Sequence, residues 1–198
     1  DDAIIINNGV IQAPTNRAFR TSGGTVLELR NNGTINANGN SAIRNGSTIQ
    51  LLINEGTISA VDSTIVNRNT ATIGKIINTG SITASGNNIG IDNSGTIRIL
   101  NNSQGASTSA LTYDGKLPTN YNIIVTSTSD FGKIVFSNVS GAINFGVDSS
   151  SNLADVDTTY STVLSGLSSS DIASGTSGTF SSGVITKTWT LDNISGTL

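Results

Sequence analysis

The chain has 198 residues, a net charge of -3 and only 12% charged residues, with no Cys, no His and no Met. Without Cys there is no disulfide framework and no thiolate metal site; without His the usual general base and commonest metal ligand are missing. The few Lys and Arg argue against nucleic acid as a partner, and no apolar run approaches a membrane span, "IQLLI" being among the longest.

Asn, Ser, Thr and Gly are abundant, yet Ile, Val and Leu recur in short ordered runs, which rules against disorder. The opening Asp1-Asp2-Ala3 fits a mature protein after signal-peptide removal or an excised fragment. Low charge, no Cys and this polar composition suit a bacterial protein that is secreted, extracellular or held at the cell surface.

The first element is "DDAIIIN". Ile4, Ile5 and Ile6 are β-branched and unprotected, so they form a strand able to pair with another chain, while the two Asp blunt wrong pairing. A repeat begins immediately after. "INNGVI" (6–11), "RNNGTI" (30–35), "INEGTI" (53–58) and "INTGSI" (77–82) place Gly9, Gly33, Gly56 and Gly80 at steps of 24, 23 and 24 residues. A second landmark falls in each interval: "AFRT" (18–21), "AIRN" (42–45), "TIVN" (64–67) and "IGID" (89–92). Two landmarks sharing one period predict a repeat architecture.

The apolar residues alternate or pair over a few positions and are then cut by Gly and Asn, which predicts strands rather than helices. A period of 23–24 residues is one circuit of a parallel β-helix, whose circuits stack at about 4.8 Å and turn equivalent residues into ladders. Ile35, Ile58 and Ile82, with Val10 or Ile11, predict an inner apolar column. Asn31, Asn54 and Asn78 should point in at a corner, each amide donating along the column and accepting from the other side. Thr21, Asn45, Asn67 and Asp92 predict a second such column. Gly33, Gly56 and Gly80 are expected to supply positive φ at the bend.

The register is expected to break after residue 97, where Gly95 follows Gly80 by only 15 residues. From 121 onward "YNIIVTS", "GKIVFSN", "GAINFGVD", "TYSTVLSGL", "GTFSSGVI" and "TKTWTLDN" predict longer circuits or a meander holding most aromatics. The expected organisation is therefore all-β: repeats of a parallel β-helix over 1–114, then a β-rich segment over 115–198 that caps or continues it.

Residues 115 onward, "DGKLPTNYNIIV…DFGKIVFSNVSGAINFGVD…TYSTVLSGL…SGTF", resemble the C-terminal passenger region of bacterial autotransporters, with Phe131, Ile134, Phe136, Gly141, Ile143, Gly146 and Val147 where that pattern expects them. The upstream Asn-x-Gly-Thr-Ile units resemble such passengers too. The resemblance implies a right-handed β-helix and a secretion route, for a passenger piece or a free secreted protein with similar circuits.

Catalytic chemistry finds little footing. Asp148, Asp155, Asp157 and Asp171 are the only carboxylates to weigh as acid–base or Ca²⁺ groups, and they read as a solvated loop lacking the spacing of a Ca²⁺ site. The serines have no His partner and no Gly-x-Ser-x-Gly elbow. No catalytic site, metal or cofactor is expected. Arg20 and Arg44 occupy equivalent places as stacked like charges that face water; they could hold an anionic surface group, though a solvated face is the simpler reading. Thr34/Asn36, Thr57/Ser59, Ser81/Thr83 and Thr96/Arg98 form an irregular hydroxyl ladder, a weak likeness to an ice-binding face and better read as exposed strand filler. The expected function is a non-catalytic surface adhesin or scaffold whose partner is a cell-surface protein, a glycan or copies of itself. The alternative is a fibre subunit joined by strand addition between circuit ends; a polysaccharide-active enzyme has the least support.

Overall fold

The structure, a computed structural model, describes residues 2–152, 158–173, 175–182, 185–191 and 195–197. Four regular circuits come first, each of three strands. They are β1 (Asp2–Asn7), β2 (Val10–Ala13) and β3 (Phe19–Arg20); β4 (Thr25–Asn31), β5 (Thr34–Ala37) and β6 (Ile43–Asn45); β7 (Thr48–Asn54), β8 (Thr57–Ala60) and β9 (Ile65–Asn67); β10 (Thr72–Asn78), β11 (Ser81–Ala84) and β12 (Ile91–Asn93). β13 (Thr96–Asn102), β14 (Leu111–Lys116), β15 (Asn120–Ile123), β16 (Ile134–Ser140), β17 (Asn144–Val147) and β18 (Leu164–Ser168) follow with two strands per turn. A hairpin of β19 (Ser177–Ser182) and β20 (Ile185–Thr190) and a last strand, β21 (Ser195–Thr197), complete the described elements.

Stacking makes three sheets. The first runs β1-β4-β7-β10-β13-β15-β17, the second β2-β5-β8-β11, and the third β3-β6-β9-β12-β14-β16-β18-β21. Among the named strands all pairings are parallel except β18 with β21 and the β19–β20 hairpin. This is a parallel β-solenoid of about six turns, with a C-terminal strand sheet.

The period-2 pattern puts apolar columns on the inside of each sheet, and the seven-residue strands of the first sheet add a second column of Val26, Ile49, Ile73 and Ile97. Leu29, Leu52, Ile76, Leu100, Tyr121 and Phe145 stack in the first sheet. Ile11, Ile35, Ile58 and Ile82 stack in the second. Phe19, Ile43, Ile65, Ile91, Tyr113 and Phe136 stack in the third. Ile11 is thus the inward residue of the first circuit, and Val10 faces out, 70% exposed. The second sheet ends after four strands, and there aromatic rings replace Ile in the core. Tyr113 meets Phe136 edge-on at 5.4 Å, Tyr121 meets Phe145 at 6.1 Å, and Phe145 meets Trp189 of the hairpin at 5.1 Å. Larger side chains fill the width that the lost third wall would have closed.

Three expectations are corrected. The register does not break at residue 97: Asn102 stands 24 residues after Asn78 in the same column. Gly95 lies not at the first corner but at the second, after Asn93, so the Asn-x-Gly-Thr spelling marks both corners. Thr96 and Arg98 accordingly belong to β13 of the first sheet and do not extend the hydroxyl ladder of the second. Finally, Gly33, Gly56 and Gly80 are not among the residues with positive φ. They are required for closeness instead: a Cβ on Gly33 would sit 2.0 Å from the Gly9 carbonyl oxygen, on Gly56 2.0 Å from that of Gly33, and on Gly80 2.1 Å from that of Gly56. These carbonyls accept from Thr34, Thr57 and Ser81 N–H, so the corner backbone is drawn down onto the circuit beneath.

Candidate functional site

Two buried amide columns run along the stack. In the first, Asn7 Nδ2 donates to Asn31 Oδ1 at 2.7 Å, Asn31 to Asn54 at 2.8 Å, Asn54 to Asn78 at 2.8 Å and Asn78 to Asn102 at 2.9 Å. Each second amide hydrogen finds a carbonyl one circuit on, as with Asn31 to Thr57 and Asn54 to Ser81. In the second column Thr21 Oγ1 donates to Asn45 Oδ1, Asn45 to Asn67, and Asn67 to Asn93 at 2.7 Å. Asp92 is therefore not a rung. Two more residues separate Ile82 from Ile91 than separate Ile58 from Ile65, so Ile91-Asp92-Asn93 aligns with Ile65-Val66-Asn67 and Asp92 turns outward. An ionised carboxylate has no hydrogen to pass along the column, whereas an amide donates and accepts at once.

The columns end on groups the repeat does not announce. Asn93 Nδ2 donates to the Tyr113 hydroxyl at 2.9 Å, which passes its own hydrogen to Lys116 C=O. Burial pushes the Tyr113 hydroxyl well above the ordinary phenol range, so it stays protonated as a donor. Gln104 closes the second sheet: its Oε1 accepts from Ile82 N–H at 2.8 Å and its Nε2 donates to Ile82 C=O at 3.2 Å, as a next strand's peptide would.

The carboxylates weighed for chemistry are engaged separately. Asp148 accepts from the Asn101 amide and from Ser150 N–H. Asp171 caps the 3-10 turn Ser169–Asp171, and the Ser168 N–H and hydroxyl hold its carboxyl below the usual range. Asp155 and Asp157 lie outside the described residues. Among the described residues no cluster of His, Cys, Asp or Glu is placed to hold a metal ion, and no helix is long and apolar enough to cross a membrane.

Two surfaces remain. At the N-terminal end β1 is the edge of the first sheet, hydrogen-bonded only to β4; Ile5 packs inward, while Ile4 and Ile6 are 64% and 54% exposed. On the third sheet, Arg20 and Arg44 stack in register, and a shallow depression of about 110 Å³ opens beside them, lined by Arg20, Thr21, Ser22, Arg44, Gly46 and Arg68. Sequence reading brought Arg20 and Arg44 together but missed Arg68 and Arg17, which arrive from a corner and a loop. The signal was present in "NRNT" (67–70), where Arg68 occupies the place Gly46 holds one circuit earlier.

The fold and its columns define a β-solenoid with amide ladders at two corners. No family model, no curated protein and no solved structure matches the chain.

Proposed function

We propose that the protein is a non-catalytic surface adhesin or scaffold of a bacterium, of the autotransporter-passenger kind. The observation that carries this reading is where the polar side chains are invested. Ten buried or capping groups, from Asn7 to Asn102 and from Thr21 to Tyr113, are spent on two internal columns that stiffen the stack. Beyond Val10 of the first circuit, what faces solvent on the second sheet is short and polar: Gln12, Thr34 and Asn36, Thr57 and Ser59, Ser81 and Thr83. Such a rod displays broad lateral faces suited to shallow contact with a surface. Beads coated with the purified protein should adhere to bacterial or host cells above the level of uncoated beads. Equal adhesion of coated and uncoated beads across cell types would sink the reading.

The edge of β1 favours a second reading, a fibre subunit joined through open circuits. Toward the other end of the stack Trp189 of the hairpin packs against Phe145 and β21 pairs with β18, whereas the first circuit leaves β1, β2 and β3 as open edges, β1 the longest. Negative-stain microscopy over a concentration series decides it: regular filaments support a fibre subunit, and single rods at every concentration reject it.

A further inference from the structure

The outward column of the third sheet runs Arg20, Arg44, Val66, Asp92, Asp114 through consecutive circuits. Its charges are segregated, two cations at one end and two carboxylates at the other. Arg17 and Arg68 thicken the positive end, so four of the six arginines gather at this end of the third sheet. No carboxylate lines the depression between them. The two ion pairs among the described residues, Arg30 with Glu28 and with Glu55, lie on the first sheet instead. Arg17 Nε is buried without a hydrogen-bond partner among the described residues, its guanidinium reaching only Asn16 Oδ1 at 3.4 Å. Desolvation, then the charges of Arg17, Arg68 and Arg20, pull the Arg44 pKa down, so the folded chain holds that cation against its neighbours. Arg20, Arg44 and Arg68 line the depression and have no ion pair or side-chain hydrogen bond among the described residues; like charges so placed are complementary to an anion, which guanidinium forks bind bidentately.

We propose that this depression binds an oxyanion, sulfate or carboxylate, carried on an acidic polysaccharide. The dimensions favour separate anionic groups on a glycan over a nucleic-acid backbone. Three circuits span only about 10 Å at strand spacing, and beyond them Asp92 and Asp114 repel a continuous row of phosphates. Exposed Ser22 adds a hydroxyl group beside the cations, suited to a sugar ring. As the identity of an adhesin's ligand, the proposal rests on the function proposed above; the anion site itself stands on the arginines alone.

The test is titration calorimetry of the whole chain at low salt with dextran sulfate, polygalacturonate, neutral dextran, inorganic sulfate and duplex DNA. Both acidic polysaccharides should bind and neutral dextran should not, with affinity falling as salt rises. R44Q and, separately, R20Q should each weaken dextran sulfate binding about tenfold. R98Q, on the first sheet, should leave it unchanged. R44Q removes one of several like charges, so its melting temperature should not fall below that of the parent, which separates lost binding from lost folding. No binding of dextran sulfate, or binding that neither R44Q nor R20Q weakens, overturns the site. Binding of inorganic sulfate without either polysaccharide overturns the glycan as its source, and duplex DNA binding as tightly as dextran sulfate overturns the ligand class. If R44Q loses dextran sulfate while bead adhesion is unchanged, the site stands and its role in adhesion falls.

Discussion

Each internal asparagine of the first column satisfies two neighbours at once. Asn54 Oδ1 accepts from Asn31, and its amide hydrogens go to Asn78 Oδ1 and Ser81 C=O. Removing it strands partners on both sides in a buried place, so N54A should cost about 2–3 kcal/mol in urea unfolding. Asn7 ends the same column with a neighbour on one side only, and N7A should cost about 1 kcal/mol by the same measurement. Equal costs for the two would show that column position does not matter. Glycine obeys the same geometry. A Cβ on Gly56 collides with the Gly33 carbonyl oxygen, whereas one on Gly9 meets nothing within 4 Å. G56A should lose about 2 kcal/mol or more, while G9A should stay within about 0.5 kcal/mol of the parent.

At the scale of elements, strands are stabilised by what closes their edges and by the charges stacked along them. β11 is the last strand of the second sheet, and Gln104 pairs with Ile82 in place of another strand. Q104A should leave the Ile82 N–H without its acceptor, costing about 1–2 kcal/mol. Hydrogen exchange should show faster exchange at Ile82 than in the parent, with β7 and β8 amides unaffected. β12 and β14 bring Asp92 and Asp114 into register. Desolvation, then the charges of Asp114 and Asp62, raise the Asp92 pKa above its ordinary 3.8, so the folded chain binds that proton more tightly than the unfolded chain. Ionised Asp92 therefore opposes folding at neutral pH, and the opposition is relieved as pH falls through the raised value. D92N should melt higher than the parent at pH 7, by about 1–2 °C for a partly exposed group. That advantage should shrink on acidification and be gone below about 3.8, where Asp92 is protonated in both states. A constant offset at every pH would exclude the charge mechanism.

For the whole molecule, a stack in which each circuit touches only its neighbours unfolds from its weaker end. The first circuit is covered on one side only and exposes Ile4, Ile6 and Val10. The far end is closed by an aromatic chain from Tyr113 and Phe136 through Tyr121 and Phe145 to Trp189. Amide hydrogen exchange should therefore be fastest in β1–β3 and slowest in β7–β12. Uniform protection along the stack would mean it opens all at once.

The local sequence determined what one circuit needs. Alternating Ile, a corner Asn and a following small residue repeat at 23–24 residues, and that period alone specifies parallel stacking with columns of like residues. The inward Ile35, Ile58 and Ile82 and the rungs Asn31, Asn54 and Asn78 were legible because every circuit spells them alike. Tertiary structure decided whatever depends on loop length and on ends. Corner loops of unequal length place Asn93 rather than Asp92 in the column, since register is set by strand pairing and not by the count of residues between landmarks. Gln104 and Tyr113 became terminators only because the stack stops beside them. Arg20 and Arg44 came together because stacking turns a separation of 24 residues in sequence into one strand spacing, roughly 4.8 Å, in space, and a loop and a corner bring Arg17 and Arg68 to the same patch.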